Sequence, residues 1–125
     1  MAKFLLLLHI NPAVWETLTE EEQQAVMNGH EGFIETITKS GEMITTQGLV
    51  DPSQSVVVRV RDGQQVVTDG PFLEAKEYLG GFYMIDVESR ERAIELAAMI
   101  PDAKVDGLGV EVRQIMFDNG QLLET

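Results

Sequence analysis

Residues Lys3 to Ile10 are apolar on both faces of an extended strand, with Phe4, Leu6, Leu8 and Ile10 on one side and Leu5 and Leu7 on the other. Strands covered on both sides carry this pattern. Thr19-Glu20-Glu21-Glu22 then forms a capping-box sequence, a hydroxyl followed three residues later by a carboxylate. The helix it opens is predicted to run to about Lys39 and to stop at Ser40-Gly41. Val26, His30, Phe33, Ile34 and Ile37 recur at three-and-four spacing, so they form its inward stripe.

A second strand is predicted from Met43 to Val50, broken by Asp51-Pro52-Ser53. Ser55 to Arg61 and Gln65 to Thr68 read as a hairpin, because Asp62-Gly63 between them tolerates the positive φ of a tight turn. The segment from Thr68 to Gly80 carries Pro and Gly and is predicted to be an ordered loop. Gly81 to Val87 is again apolar on both faces. Ser89 caps a second helix with Ala93, Leu96, Ala97 and Ile100 inward, and Pro101 follows it. Gly109 to Phe117 is the last strand, and Asp118 to Thr125 is expected to be loose.

Without the hairpin, the order is βαββαβ. This is the ferredoxin-like split unit of the α+β class, with both helices on one face of an antiparallel sheet. The other face keeps apolar residues, assigned to Leu5, Leu7, Tyr83, Ile85, Val110 and Val112 or their strand neighbours. Soluble monomers rarely expose apolar patches beyond about 300–600 Å². Packing two sheets face to face removes the patch, so a homodimeric α/β barrel is the expected assembly.

Composition narrows the function. The 125 residues make one domain, and the absence of cysteine excludes disulfides, thiolate nucleophiles and cysteine-ligated metals. The formal net charge is −12, which repels phosphate backbones and anionic membranes, so neither nucleic acid nor membrane is an expected partner. The apolar run behind Met1-Ala2-Lys3 is cut short by His9 and Asn11, unlike a secretory signal, and no stretch nears the about 20 apolar residues of a membrane span. A cytoplasmic location is expected. His9 and His30 lie far apart with no metal-ligand spacing, and neither a nucleophile elbow nor a glycine-rich nucleotide motif occurs, so no metal or cofactor is expected.

The stretch from Val67 to Val87, with Asp69-Gly70-Pro71-Phe72 at its start and Gly80-Gly81-Phe82-Tyr83 near its end, strongly resembles the signature of the DGPF group of YCII-related proteins. Val56 to Asp62 with its Gly63 turn and Glu111-Val112-Arg113 resemble the same family, so the likeness covers nearly the whole chain. The resemblance implies a ferredoxin-like dimeric α/β barrel with a histidine and an aspartate lining a cleft. His30 matches that histidine, and Asp69, which opens the motif, is taken as the aspartate. The resemblance also implies an association with extracytoplasmic-function sigma factors, beside which such proteins are often encoded.

Imidazole titrates near neutrality and can take and return a proton in one cycle, so His30 is the candidate general acid/base; its alternative is a cleft or core histidine satisfied by one hydrogen bond. Asp69 either orients that imidazole or caps the turn at Gly70-Pro71. Lys76 and Glu74 are candidate substrate-binding residues, against surface ion pairing with Glu77. Tyr83 offers a phenol to a pocket or packs in the core, and His9 could reach a cleft at the sheet end. Trp15 is expected to cover the core edge. Asp86 is assigned either to solvent or to a pair with Arg113. Gly80-Gly81 permits close backbone approach or a bulge. Two functions result: a cofactor-independent small-molecule enzyme doing isomerisation or elimination through His30, or a ligand-binding or regulatory module that contacts a sigma factor.

Overall fold

The computed structural model describes residues 1–70 and 76–123. β1 (Ala2–Ile10) leads into a short helix α1 (Pro12–Trp15), then α2 (Glu20–Lys39) and β2 (Met43–Gly48). A 3-10 turn at Pro52–Gln54 precedes the hairpin β3 (Val56–Arg61) and β4 (Gln64–Asp69). β5 (Tyr78–Val87), α3 (Arg90–Met99), a 3-10 turn at Pro101–Lys104 and β6 (Gly109–Gln114) follow, and the small strands β7 (Phe117–Asp118) and β8 (Gln121–Leu122) pair near the end.

Local chemistry sets these boundaries. Thr19 Oγ1 accepts from Glu22 N at 3.1 Å while Glu22 Oε1 accepts from Thr19 N at 3.0 Å, closing the capping box of α2. Ser89 Oγ caps α3 by accepting from Arg92 N. Asp62 and Gly63 both take positive φ, 51° and 76°, the turn that matches the twist of a two-residue hairpin.

The main sheet is antiparallel in the order β2-β5-β1-β6, so β5 is inserted between the parallel pair β1 and β2. α2 and α3 cover one face. Phe33 and Ile37 from α2 and Ala93, Leu96 and Ala97 from α3 bury against Phe4, Leu6, Tyr83, Ile85 and Val87. A second side-chain network braces this layer, with Arg92 bonded through Nε and Nη2 to both Glu42 oxygens at 2.9 and 3.0 Å. The guanidinium holds the Glu42 carboxyl below its usual range.

Several expectations shift. Tyr83, Ile85, Val110 and Val112 belong to the helix-covered face rather than the open one. The open face instead carries Leu5 paired with Met84 and Leu7 paired with Phe82. β5 starts at Tyr78, inside the expected loop, because Leu79 and Tyr78 continue the ladder to His9 and Ile10. β2 ends two residues before Val50, and β6 ends at Gln114 instead of Phe117. The tail is not loose through residue 123: β7 and β8 pair, and Lys3 forms an ion pair with Asp118. α1 was not anticipated, although Asn11 capping Ala13 N ahead of Pro12 is a helix-start pattern. Arg113 bonds Glu111 and not Asp86, whose Oδ1 is buried with no hydrogen-bond partner among the described residues.

Candidate active site

His30 stands midway along α2, on the stripe its capping box phases toward the sheet. Its ring is held at both nitrogens. Nε2 lies 2.6 Å from Asp102 Oδ1, and Nδ1 lies 2.7 Å from Tyr83 Oη. An ionised carboxylate only accepts, so Nε2–H donates to Asp102; Nδ1 then accepts from the Tyr83 hydroxyl. The imidazole lies nearly parallel to the Tyr83 ring, at 8°, while Phe33 meets that ring edge-on at 4.9 Å. These contacts leave both rings little freedom to turn.

Asp102 is 2% exposed and is the one buried charged residue among those described. It sits on the Pro101–Lys104 turn that follows α3. Gly29 brings this turn onto α2, since a Cβ there would stand 2.4 Å from Pro101 Cγ. Only a residue without a side chain lets the proline approach, and that approach delivers Asp102 to His30. Burial, then the charge of Asp102, pushes the Tyr83 phenol up to about 12, with the Thr46 side chain partly opposing. Tyr83 therefore keeps its proton well above neutral pH.

The three side chains form part of the wall of a cavity of about 460 Å³ between α2 and the sheet. Leu8, Ile10, Val26 and Ile34 give it an apolar interior, and Trp15 and Tyr78 add aromatic wall. Gly80 and Gly81 supply backbone wall. A Cβ at Gly80 would meet Ile10 Cγ1 at 2.6 Å and one at Gly81 would meet Gln47 O at 2.7 Å, while the ladder to β1 skips Gly80 as a bulge. Both roles expected of this pair are present together.

The remaining predicted residues lie elsewhere. Asp69 ends β4, exposed, and contributes nothing to the cavity wall; the carboxylate bonded to His30 is Asp102. Lys76 is exposed and likewise off the wall. His9 bonds Glu111 Oε1 at 2.7 Å on the face opposite the helices, and that bond, followed by Arg113, holds the Glu111 carboxyl below its usual range. Glu74 lies outside the described residues. Trp15 lines the cavity instead of merely covering the core edge. No helix among the described residues is long and apolar enough to cross a membrane.

The comparisons with known proteins agree with one another. An uncharacterized protein of Rhizobium meliloti (strain 1021) is 28% identical over 120 residues, spanning 95% of this chain and 97% of that protein. The model of the YCII-related domain matches residues 2–117, which takes in the whole sheet, both long helices and the three side chains of the cavity, and the chain belongs to the YCII-related domain family.

Proposed function

We propose that this chain is a small-molecule enzyme in which Asp102, His30 and Tyr83 move a proton to and from a ligand seated in the cavity. The observation that carries this reading is the continuous hydrogen-bonded series from a buried carboxylate through an imidazole to a phenol, at the wall of an apolar cavity. Acting as base, Tyr83 Oη accepts a proton from the ligand as its own passes to His30 Nδ1. Asp102 then stabilises the imidazolium, as a carboxylate does behind any catalytic histidine. Acting as acid, the same path runs in reverse. An isomerisation is completed when this path returns the proton to a second atom of the ligand, and an elimination when a leaving group departs with the electron pair the proton leaves behind. The chemistry needs no group beyond these side chains.

Deuterium labelling tests it. In D2O, a pool of small metabolites incubated with the protein is expected to contain compounds that gain deuterium with the wild type and not with His30→Asn. Equal labelling by both proteins would remove His30 from any proton transfer.

The assembly that fits this reading is a homodimer with the two open sheet faces packed together. Leu5, Leu7, Phe82 and Met84 form the apolar centre of that face. Around them Lys3 and Arg113 offset most of the charge of Asp86, Glu111 and Asp118, so two copies can meet there despite a net charge of −12 each. The unpartnered Asp86 Oδ1 lies on the same face, where a second subunit can supply a donor. The β3–β4 ribbon adds a further apolar strip, since Val56, Val58, Val60 and Val67 share one side and are each more than half exposed.

A further inference from the structure

The walls of the His30 cavity also restrict the charge of what it can hold. None of the described residues lining it is Lys or Arg, and the two ionisable carboxyl groups among them, Asp51 and Asp102, are both acidic. The segment 71–75 adds Glu74 to the sequence and no cation. In both phenols of the wall a neighbouring carboxylate adds to the larger effect of burial. Tyr78 is raised by burial and then by the charge of Asp51, and Tyr83 by burial and then by the charge of Asp102. A carboxylate or phosphate entering this space would lose water, meet no counter-charge and face like charge.

An organic cation finds no better counterpart. Asp102 is 3% exposed at its side chain and already accepts from His30. Asp51 Oδ1 accepts from Ser53 N at 2.9 Å, capping the turn at the cavity rim. Asp51 is exposed to solvent, so an ammonium paired with it would stay at the rim and outside the apolar interior. What the interior does offer is flat, oily surface from Trp15, Tyr78, Val26 and Ile34 and a polar spot at Tyr83 and His30, while the Thr46 hydroxyl of the wall already donates to Phe82 O and the Gln47 amide to Thr45 Oγ1. A volume of about 460 Å³ suits a molecule of one or two rings.

We infer that the ligand is an uncharged, ring-sized apolar compound whose single polar group, a hydroxyl, donates to the open lone pair of Tyr83 Oη beside His30; this rests on the proton-transfer reading of the same site. Specificity on this account is set by the missing cation as much as by shape. Met27, 60% exposed on the α2 side of the rim, is a place where a cation can be introduced without touching the core.

The test compares three probes of one size: 1-indanol, indane-1-carboxylate and protonated 2-aminoindane. Trp15 is the only tryptophan, so its indole N–H gives one resolved reporter of binding in a 15N-correlated spectrum. 1-Indanol is expected to shift that signal with a Kd at least about ten-fold below that of either charged probe. Met27→Lys should narrow the gap for the carboxylate. Tighter binding of the carboxylate or the ammonium, or no binding of 1-indanol, overturns the inference. The two readings fail separately: binding of 1-indanol with labelling unchanged in His30→Asn sinks the proton transfer alone, whereas His30-dependent labelling of carboxylates sinks the uncharged ligand alone.

Discussion

His30 Nε2 and Asp102 Oδ1 stand 2.6 Å apart although 72 residues separate them in the chain. The contact joins α2 to the turn after α3, so it is both a structural tie and the base of the proton path. The partners also fix the tautomer, with the proton on Nε2 and the lone pair of Nδ1 toward Tyr83.

Removing that acceptor has a defined consequence. Asp102→Ala leaves the His30 Nε2–H in a site where little water reaches, and should cost about 1–3 kcal/mol of stability in urea unfolding. The wild-type ring should show the Nε2–H tautomer in long-range 15N correlation spectra. A wild-type ring protonated on Nδ1 alone would contradict the hydrogen-bond assignment. Tyr83→Phe should cost less, since the lone pair of Nδ1 loses a donor but the ring keeps its charge partner.

Two glycines on α2 should respond to alanine with opposite signs. At Gly29 a methyl group would stand 2.4 Å from Pro101 Cγ, and neither the rigid ring nor the helix backbone yields cheaply. Gly29→Ala should therefore destabilise by about 1–3 kcal/mol and disturb the His30–Asp102 contact. At Gly32 nothing lies within 4 Å, so alanine gains helix propensity and should stabilise by about 0.5–1 kcal/mol. Thermal unfolding of both variants checks the pair of signs. A stabilised Gly29→Ala would mean that the turn carrying Asp102 does not press on α2.

Much of this site was legible beforehand, and the part that was not has a physical explanation. The capping box set the phase of α2, and the phase turned His30 inward. Asp102 gave no such signal. It follows Pro101 at a helix end, where an aspartate ordinarily caps a turn in solvent, and it is one of 21 acidic residues. Its burial depends on Gly29 admitting Pro101, a contact between segments about seventy residues apart. The facing of Tyr83 was readable and was misread. Phe82, Met84 and Asp86 share one parity of β5, and a charged residue in that set marks it as the uncovered side, which places Tyr83, Ile85 and Val87 inward.

The phenols give a pH prediction. Tyr83 is raised to about 12 in the folded protein from its ordinary 10. A group raised on folding stabilises the native state below its unfolded pKa and loses that contribution as pH climbs through the folded value. The chain should thus lose about 2–3 kcal/mol of stability between pH 10 and 12. Both tyrosines of the chain should ionise above the usual range in an ultraviolet titration, Tyr83 last and together with unfolding. Tyr83→Phe should abolish the steepest part of that alkaline loss. A Tyr83 that ionises reversibly at pH 10 in the native protein would contradict its burial against Asp102.

The open sheet face gives the last prediction. Its apolar centre is made by cross-strand pairs, Leu5 with Met84 and Leu7 with Phe82, on the two central strands, where no helix of the same chain reaches. Leu7 is already buried, so a second sheet gains chiefly by covering the half-buried Leu5, Phe82 and Met84, at about 25 cal/mol per Å², and the mixed charges around them limit the repulsion between two strongly acidic chains. Light scattering at micromolar concentration should return twice the 13.9 kDa of the chain. Phe82→Lys places an ammonium at the middle of the contact, where in the dimer two would meet, and should give a monomer. Phe82 lies outside the core cluster, so far-UV circular dichroism should be unchanged and the loss read as assembly rather than folding. A wild type that scatters as a monomer would leave the orphaned Asp86 oxygen and the exposed valines of the ribbon needing another partner altogether.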